Sequence, residues 1–400
     1  MTANLVWIHG FEHAADKAQM SIGDQAWTFS EYRGTIDPAS TDRTHQPIGK
    51  SAPYAGSYSM KLSPTNHTSW PPRDVYGQTI VDGFGVYEGG GGRIVFSHYH
   101  DAGAWQSASH SAANPFIFRI IENGRSREVC SIRWRSDNRL DFYVDALYKE
   151  TTTFTVPADT WTRIGVVFKT YRSGNYSYMG ARLYINGVAA TSWHVDLAEY
   201  NQGHSGLMRF LWYGNHFSAS DGSISTFVDH IVATSDDSIS DADGTTTSTG
   251  EYIDTETWLA LVPGIRPDAD IAGFESGGFA PNTGTDNFAV VNESPFSATN
   301  YVQSGTDPSS FGCTFGNLDA SYDVNTVIKG VKATFVAMGD GTMLTSESQL
   351  SLGSSTLNTA EPHTLNTSDT IVTHVDSEKP GGGNWTLADV NNLGFKYTTT

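Results

Sequence analysis

The sequence predicts an all-β protein built as two antiparallel sandwiches. Three observations carry that prediction: apolar residues alternating with period two, Gly- and Asn-containing turns at short intervals, and a shift in charge near residue 250. With 400 residues, 38% hydrophobic and 12% aromatic, the chain has apolar surface for packed cores and exceeds the usual size of one. Residues 251–400 hold 5 of the 24 Lys+Arg but 18 of the 43 Asp+Glu. The expected domains are therefore 1–250 and 251–400, with the polar, acidic stretch 235–251 as a linker closing the first.

Within the first domain, Gly89 to Gly92 reads as a flexible loop. Phe116, Phe118 and Ile120 alternate toward one face, Asn123-Gly124 turns the chain, and Cys130, Ile132 and Trp134 return it. A turn at Ser136–Arg139 leads to Leu140, Phe142 and Val144. The stretch Asp159–Phe168 puts Ile164, Val166 and Phe168 on one face. In the next strand Leu183 and Ile185 point inward and Arg182 and Tyr184 outward, before Asn186-Gly187. That dipeptide tolerates positive φ at both central positions of a two-residue hairpin. Leu207–Tyr213 and Phe227–Val232 complete the sandwich.

In the second domain, strands are expected at Phe288–Val291, Tyr301-Val302 and Thr326–Ala337, with Thr257–Val262 before them and a hairpin at Asp340-Gly341. One short helix is expected near the end. Thr386 is its N-cap, Asp389 completes a capping box, and Trp385 faces Val390 as a hydrophobic staple.

Two resemblances follow from these residues. The Trp161 strand with its "LYINGV" hairpin is similar to the laminin-G-like, or concanavalin A-like, jelly-roll sandwich; Phe11-Glu12 and Phe227-Val-Asp229 suit its paired terminal strands. Residues 281–293 with Tyr301-Val302, Val327–Lys332 and Asn384–Lys396 together resemble a β-sandwich structural protein of tailed bacteriophages. The resemblances imply a non-enzymatic particle component, on a tail, baseplate or head, that assembles with other virion proteins as a homo-oligomer. Loop aromatics of the first domain, taken up below, add an expected hold on host-surface polysaccharide, which would make the protein a glycan-binding virion component. A glycoside hydrolase on a concanavalin-like fold and a bacterial surface adhesin are the alternatives.

Composition narrows the classes further. A net charge of −19 argues against nucleic acid, whose phosphates need clustered Lys and Arg. No stretch reaches the roughly 20 apolar residues of a membrane span. The N-terminus lacks the basic and apolar regions of a secretory signal, so synthesis in the host cytoplasm and residence in the virion are expected. Cys130 and Cys313 are expected as buried free thiols.

Three sets of residues are candidate sites. Tyr99, His100 and Trp105 share one loop, and Trp212, Tyr213, Asn215 and His216 another; rings that stack on a sugar beside polar groups suit a shallow glycan site. Asp236, Asp237, Asp241 and Asp243 invite a calcium loop, although the EF-hand register fails, with Ile239 and Gly250 at its end positions. His98 and His100 with His110 could ligate zinc. No cofactor is otherwise implied. Glu251, Asp254 and Glu256 approach a paired-carboxylate motif, but Glu251 and Asp254 fall on opposite strand faces.

Overall fold

The computed structural model describes residues 4–11, 20, 27–31, 34–42, 59–64, 75–81, 84, 89–101, 116–123, 126–135, 137–200, 207–214, 225–245, 265, 267–276, 278–291, 301–304, 308–318, 328, 330–339, 345–365, 367 and 370–399. The chain is all-β and forms two compact units. One comprises Met1–Phe11, Gln25–His45 and Ser57–Val262, the other Glu12–Asp24, Gln46–Gly56 and Pro263–Thr400. The expected strand Thr257–Val262, the hairpin Asp340-Gly341 and residues 246–251 lie outside the described residues.

The first unit carries β1 (Asn4–His9), β2 (Trp27–Glu31), β3 (Gly34–Ser40), β4 (Ser59–Pro64), β5 (Val75–Val81), β6 (Gly89–His100), β7 (Phe116–Glu122) and β8 (Arg127–Trp134). There follow β9 (Arg139–Val144), β10 (Leu147–Thr155), β11 (Thr162–Ser173), β12 (Tyr176–Ile185), β13 (Val188–Ala189), β14 (His194–Tyr200), β15 (Met208–Tyr213) and β16 (Thr226–Ser235). A nine-stranded sheet runs β13-β12-β11-β6-β16-β4-β3, with β1 on β16 and β14 on β12. A seven-stranded sheet runs β10-β9-β8-β7-β15-β5-β2.

Aromatic rings from both sheets interlock between them. Phe96 meets Phe118 at 4.8 Å and Trp212 edge-on at 5.9 Å, and Phe84 packs on Phe168 and Phe210. Ile164, Val166, Phe168, Leu183, Ile132, Trp134, Leu140, Phe142 and Val144 all face this core, as their alternation requires. Cys130 is buried there as a free thiol. Asn186 and Gly187 have φ of 49° and 82°, closing the β12–β13 hairpin between Ile185 and Val188.

Two local expectations are corrected. Gly89–Gly92 is not a loop but the start of β6, paired along its length with β11. A Cβ on Gly92 would lie 2.4 Å from the Thr234 carbonyl oxygen and 2.7 Å from the Phe84 ring, so close packing demands the glycine. The start of the acidic stretch is also not a linker. Ser235 ends β16, Asp236 meets Arg93 at 3.4 Å, and Ile239 buries itself against Val95, Val167 and Val232 on the outer face of the nine-stranded sheet.

The second unit contains β17 (Pro267–Asp270), β18 (Ala280–Pro281), β19 (Val302–Gln303), β20 (Ser309–Phe315), β21 (Val331–Ala337), β22 (Thr345–Leu352), β23 (Thr356–Leu357), β24 (Glu361–Thr364), β25 (Thr370–Asp376) and β26 (Leu393–Thr399). A six-stranded sheet runs β17-β20-β26-β22-β23, with β24 on β22; β21 pairs with β25 and β18 with β19. Phe335 of β21 packs on Phe395 and Tyr397 of β26 at 5.1 and 5.2 Å, which joins the small sheet to the large one. The second thiol, Cys313, is buried and free in this core.

Among the described residues from 263 onward, two short α-helices stand where one was expected. Phe288–Val291 lies in the helix Asn287–Val291 rather than in a strand. The Asp270 carboxylate accepts the backbone N–H groups of Asn287 and Phe288 at 2.8 and 2.7 Å, a cap supplied from β17 that overrides the β-branched preference. The helix Leu387–Val390 has the expected capping box at Thr386 and Asp389, with Trp385 and Val390 both buried.

Three outcomes follow from this packing. Gly92→Ala is expected to destabilise the first unit by about 1–3 kcal/mol, read as a lower unfolding midpoint. Thr386→Ala, which leaves the Asp389 N–H without its cap, is expected to cost the second unit about 1 kcal/mol in denaturant titration. The third concerns His98 and His100, buried side by side with ring centroids 5.6 Å apart. Burial lowers the His100 pKa to about 4, with Asp159 opposing, and burial together with His100 pushes His98 well below the usual imidazole value. Both rings are neutral in the fold and gain protons on unfolding. Stability is therefore full above the ordinary value of 6.5 and falls as pH drops toward 4. The His100 shift alone corresponds to a loss on the order of 3 kcal/mol, and a His98→Leu/His100→Leu variant should give a flatter stability–pH curve across that window.

Candidate functional site

The predicted site residues do not assemble as their sequence neighbourhoods suggest. Trp212 is fully buried between the sheets, touching Trp7, Trp27, Phe96 and Phe118, and offers no ring face to a ligand. His100 is likewise buried, its ring 4.6 Å from that of Trp134. Tyr99 faces the other side of β6, packed between Trp161 and Phe227 with its hydroxyl 3.3 Å from Asp159. Trp105, His110, Asn215 and His216 lie outside the described residues.

The four aspartates serve four different ends. Asp236 accepts from Arg93 and from Ser238, while Asp237 is exposed. Asp241 pairs with Lys169 at 2.7 Å, and Asp243 accepts from the backbone and hydroxyl of Thr245. Among the described residues no three His, Cys, Asp or Glu side chains converge to hold a metal ion, the His98–His100 pair included.

Tyr213 leads elsewhere. Because side chains alternate along a strand, burial of Trp212 sends Tyr213 to the outer face of the seven-stranded sheet. By the same rule, Phe118 inward puts Arg119 outward, Trp134 inward puts Arg133 outward, and Phe142 inward puts Tyr143 outward. A register shift between Phe116 and Phe118 turns Phe116 to this outer face as well, where it lies 5.4 Å from Tyr213. Such a bulge re-aims one side chain without disturbing the rest of the strand.

The result is a strip of five rings and one guanidinium across six adjacent strands, from Tyr148 on β10 through Tyr143, Arg133, Phe116 and Tyr213 to Tyr76 on β5. Centroid spacings are 5.6 Å for Tyr143–Tyr148 and 5.4 Å for Tyr76–Tyr213. Five inter-strand steps make the strip about 24 Å long. Tyr148 is 53% exposed at one end, Tyr143, Phe116 and Tyr76 are partly exposed, and Tyr213 is buried at 2%, packed against Tyr76 and Phe116 without offering a ring face of its own.

Guanidinium groups are set into the strip. The Arg133 group lies 3.8 Å from the centre of the Tyr143 ring and 4.4 Å from that of Phe116, and Arg119 lies 4.6 Å from Phe116. These are cation–π distances. Arg119 also pairs with Glu128 at 2.7 Å and donates to the Tyr213 hydroxyl at 3.3 Å. Burial works against its charge, but Tyr213 and Glu128 outweigh it and hold the Arg119 pKa above the usual guanidinium value. Burial raises the Tyr143 pKa, with Arg133 opposing, so the phenol stays protonated and can donate. Chemically the strip offers flat apolar faces for stacking, phenol hydroxyls, and planar donor forks. Only Tyr213 of this set was singled out by sequence; the missing signal was the outward parity of residues flanking each buried aromatic.

No family model matches the chain, and no curated protein matches it. Among solved structures it is similar to the alginate lyase AlgAT5 from Polysaccharide Lyase family 7, at 12% identity and a TM-score of 0.31, over 54% of this chain and 95% of that one. It is similar to arcelin-5, a lectin-like defense protein from Phaseolus vulgaris, at 10% identity and 0.31, over 56% and 96%. It is also similar to lectin I from Ulex europaeus, at 8% identity and 0.31, over 56% and 95%. At those identities no residue's role passes from them to this chain.

Proposed function

We propose that this chain is a non-enzymatic binding protein whose first unit holds saccharide on the outer face of its seven-stranded sheet. The observation that carries this reading is the strip whose exposed or partly exposed members are Tyr148, Tyr143, Arg133, Phe116 and Tyr76, packed around the buried Tyr213. Rings presented side by side on a rigid sheet stack against the C–H faces of successive sugar rings at little entropic cost. The phenols and guanidinium edges between them meet hydroxyl groups. Among the described residues, the carboxylates of Glu128 and Asp141 beside the strip are already engaged. Glu128 is held by Arg119 and Ser131, and Asp141 by Arg135 and Thr151, an arrangement suited to shaping a surface rather than to the free acid and base of glycosidic cleavage.

The wider setting we propose is a tailed-phage particle, where the second unit joins neighbouring virion proteins and repeated copies turn weak sugar contacts into firm attachment. Its support is the resemblance of residues 281–293, 327–332 and 384–396 to phage structural proteins.

A glycan microarray with the intact protein tests the binding reading. Wild type should retain a defined set of saccharides, and Tyr148→Ala should weaken retention about tenfold or more while leaving the unfolding midpoint unchanged, as expected for an exposed ring. Chain shortening of a retained polysaccharide would overturn the non-enzymatic part. Immunogold labelling of particles tests the setting.

A further inference from the structure

Arg133 differs from the other described arginines of the seven-stranded sheet. Arg119 pairs with Glu128, Arg127 with Glu122, Arg135 with Asp141 and Arg139 with Asp137, while Arg209 donates twice to Asn123. The Arg133 guanidinium makes no ion pair or hydrogen bond with any described side chain, and its Nε is buried without an acceptor. Asp141 lies directly across from it in register. That carboxylate nevertheless takes Thr151 at 2.6 Å and Arg135 at 3.4 Å instead.

We propose that Arg133 reads an anionic group on the saccharide, so that the strip selects an acidic polysaccharide over a neutral one. The inference rests on the saccharide reading of this strip and specifies its chemical class. Tyr143 and Phe116 stand at 3.8 and 4.4 Å from the guanidinium and fix its plane. Its in-plane edge is the direction left for a partner. A planar fork held in place matches the two oxygens of a carboxylate or sulfate, and a stacked guanidinium gives up little further entropy on binding. General attraction cannot supply this selectivity, because the chain as a whole carries −19 and repels polyanions. Recognition of an anion here has to come from a local cation whose charge no protein carboxylate has taken. The aromatic neighbours meanwhile keep the ligand one with stackable faces.

The test measures affinity by calorimetry for three probes of similar length: oligogalacturonate, its methyl-esterified neutral form, and chondroitin sulfate oligosaccharide. Wild type should bind one or both acidic probes about tenfold or more tighter than the neutral ester, the value of one charge-assisted pair. The carboxylated and sulfated arms separate the two anions that the fork accepts. Arg133→Gln should remove that preference, bringing the acidic probes to the affinity that the same variant shows for the ester. Arg133→Lys, which keeps the charge and loses the fork, should fall between.

Equal affinity of wild type for acid and ester would overturn the inference while leaving the saccharide reading intact, and this arm needs no variant to fold. Preference retained in a folded Arg133→Gln protein would overturn it as well. Binding of a single-stranded oligonucleotide as tight as that of the acidic glycans would replace saccharide selectivity with general polyanion binding. Absence of binding to every saccharide, charged or neutral, would bring down both readings together.

Discussion

The fold and the candidate site of the first unit depend on the aromatic layer pressed between its two sheets. Phe118, Trp134, Phe142, Phe210 and Trp212 are pulled out of water from one side, and Phe96 and Phe168 from the other. Burial of each such ring is worth roughly 1.5–3 kcal/mol, so no strand can slip by one residue without expelling its whole apolar set. Register is thereby locked. A locked register also dictates what faces outward, because the neighbours of every buried ring must point away from it.

That coupling explains why the candidate site is built on strands rather than loops. Arg119, Arg133, Tyr143 and Tyr213 are the outward companions of Phe118, Trp134, Phe142 and Trp212. Their spacing is set by the hydrogen-bonded separation of neighbouring strands, which varies little. Rings and guanidinium groups held this way are preorganised: a ligand need not order them, and what it gains in stacking is not lost to side-chain entropy. The outer face of the nine-stranded sheet meets a different fate where Ile239, Val95, Val167 and Val232 cover it with a second, smaller apolar layer.

Buried polar groups mark where this architecture runs against the ordinary preferences of side chains. His98 and His100 sit in the apolar space between the sheets because β6 continues its alternation past Phe96, and burial keeps them uncharged. Arg163, buried on the opposite face, donates to Ser97 and to the His230 carbonyl, and burial lowers its pKa to about 9 against the pull of Asp229. Both arrangements tie local charge state to the integrity of the central strands.

The sequence by itself determined the all-β class, the strands β7, β8, β9, β11, β12, β15 and β16, the inward faces of β8, β9, β11 and β12, the Asn186-Gly187 hairpin and the Thr386 capping box. Each depends on residues within a few positions of one another, so period and turn chemistry suffice. Only the tertiary structure decided that Gly89–Gly92 is strand, that Asp270 draws Phe288–Val291 into a helix, and that Asp236 is a buried partner of Arg93. It alone turned Phe116 outward through a bulge, and it alone gathered rings from five strands and a guanidinium from a sixth into one strip. The physical reason is separation along the chain. Tyr76 and Tyr213 meet only because β5 and β15 pair, and a pairing between distant strands leaves no mark in the local pattern of either.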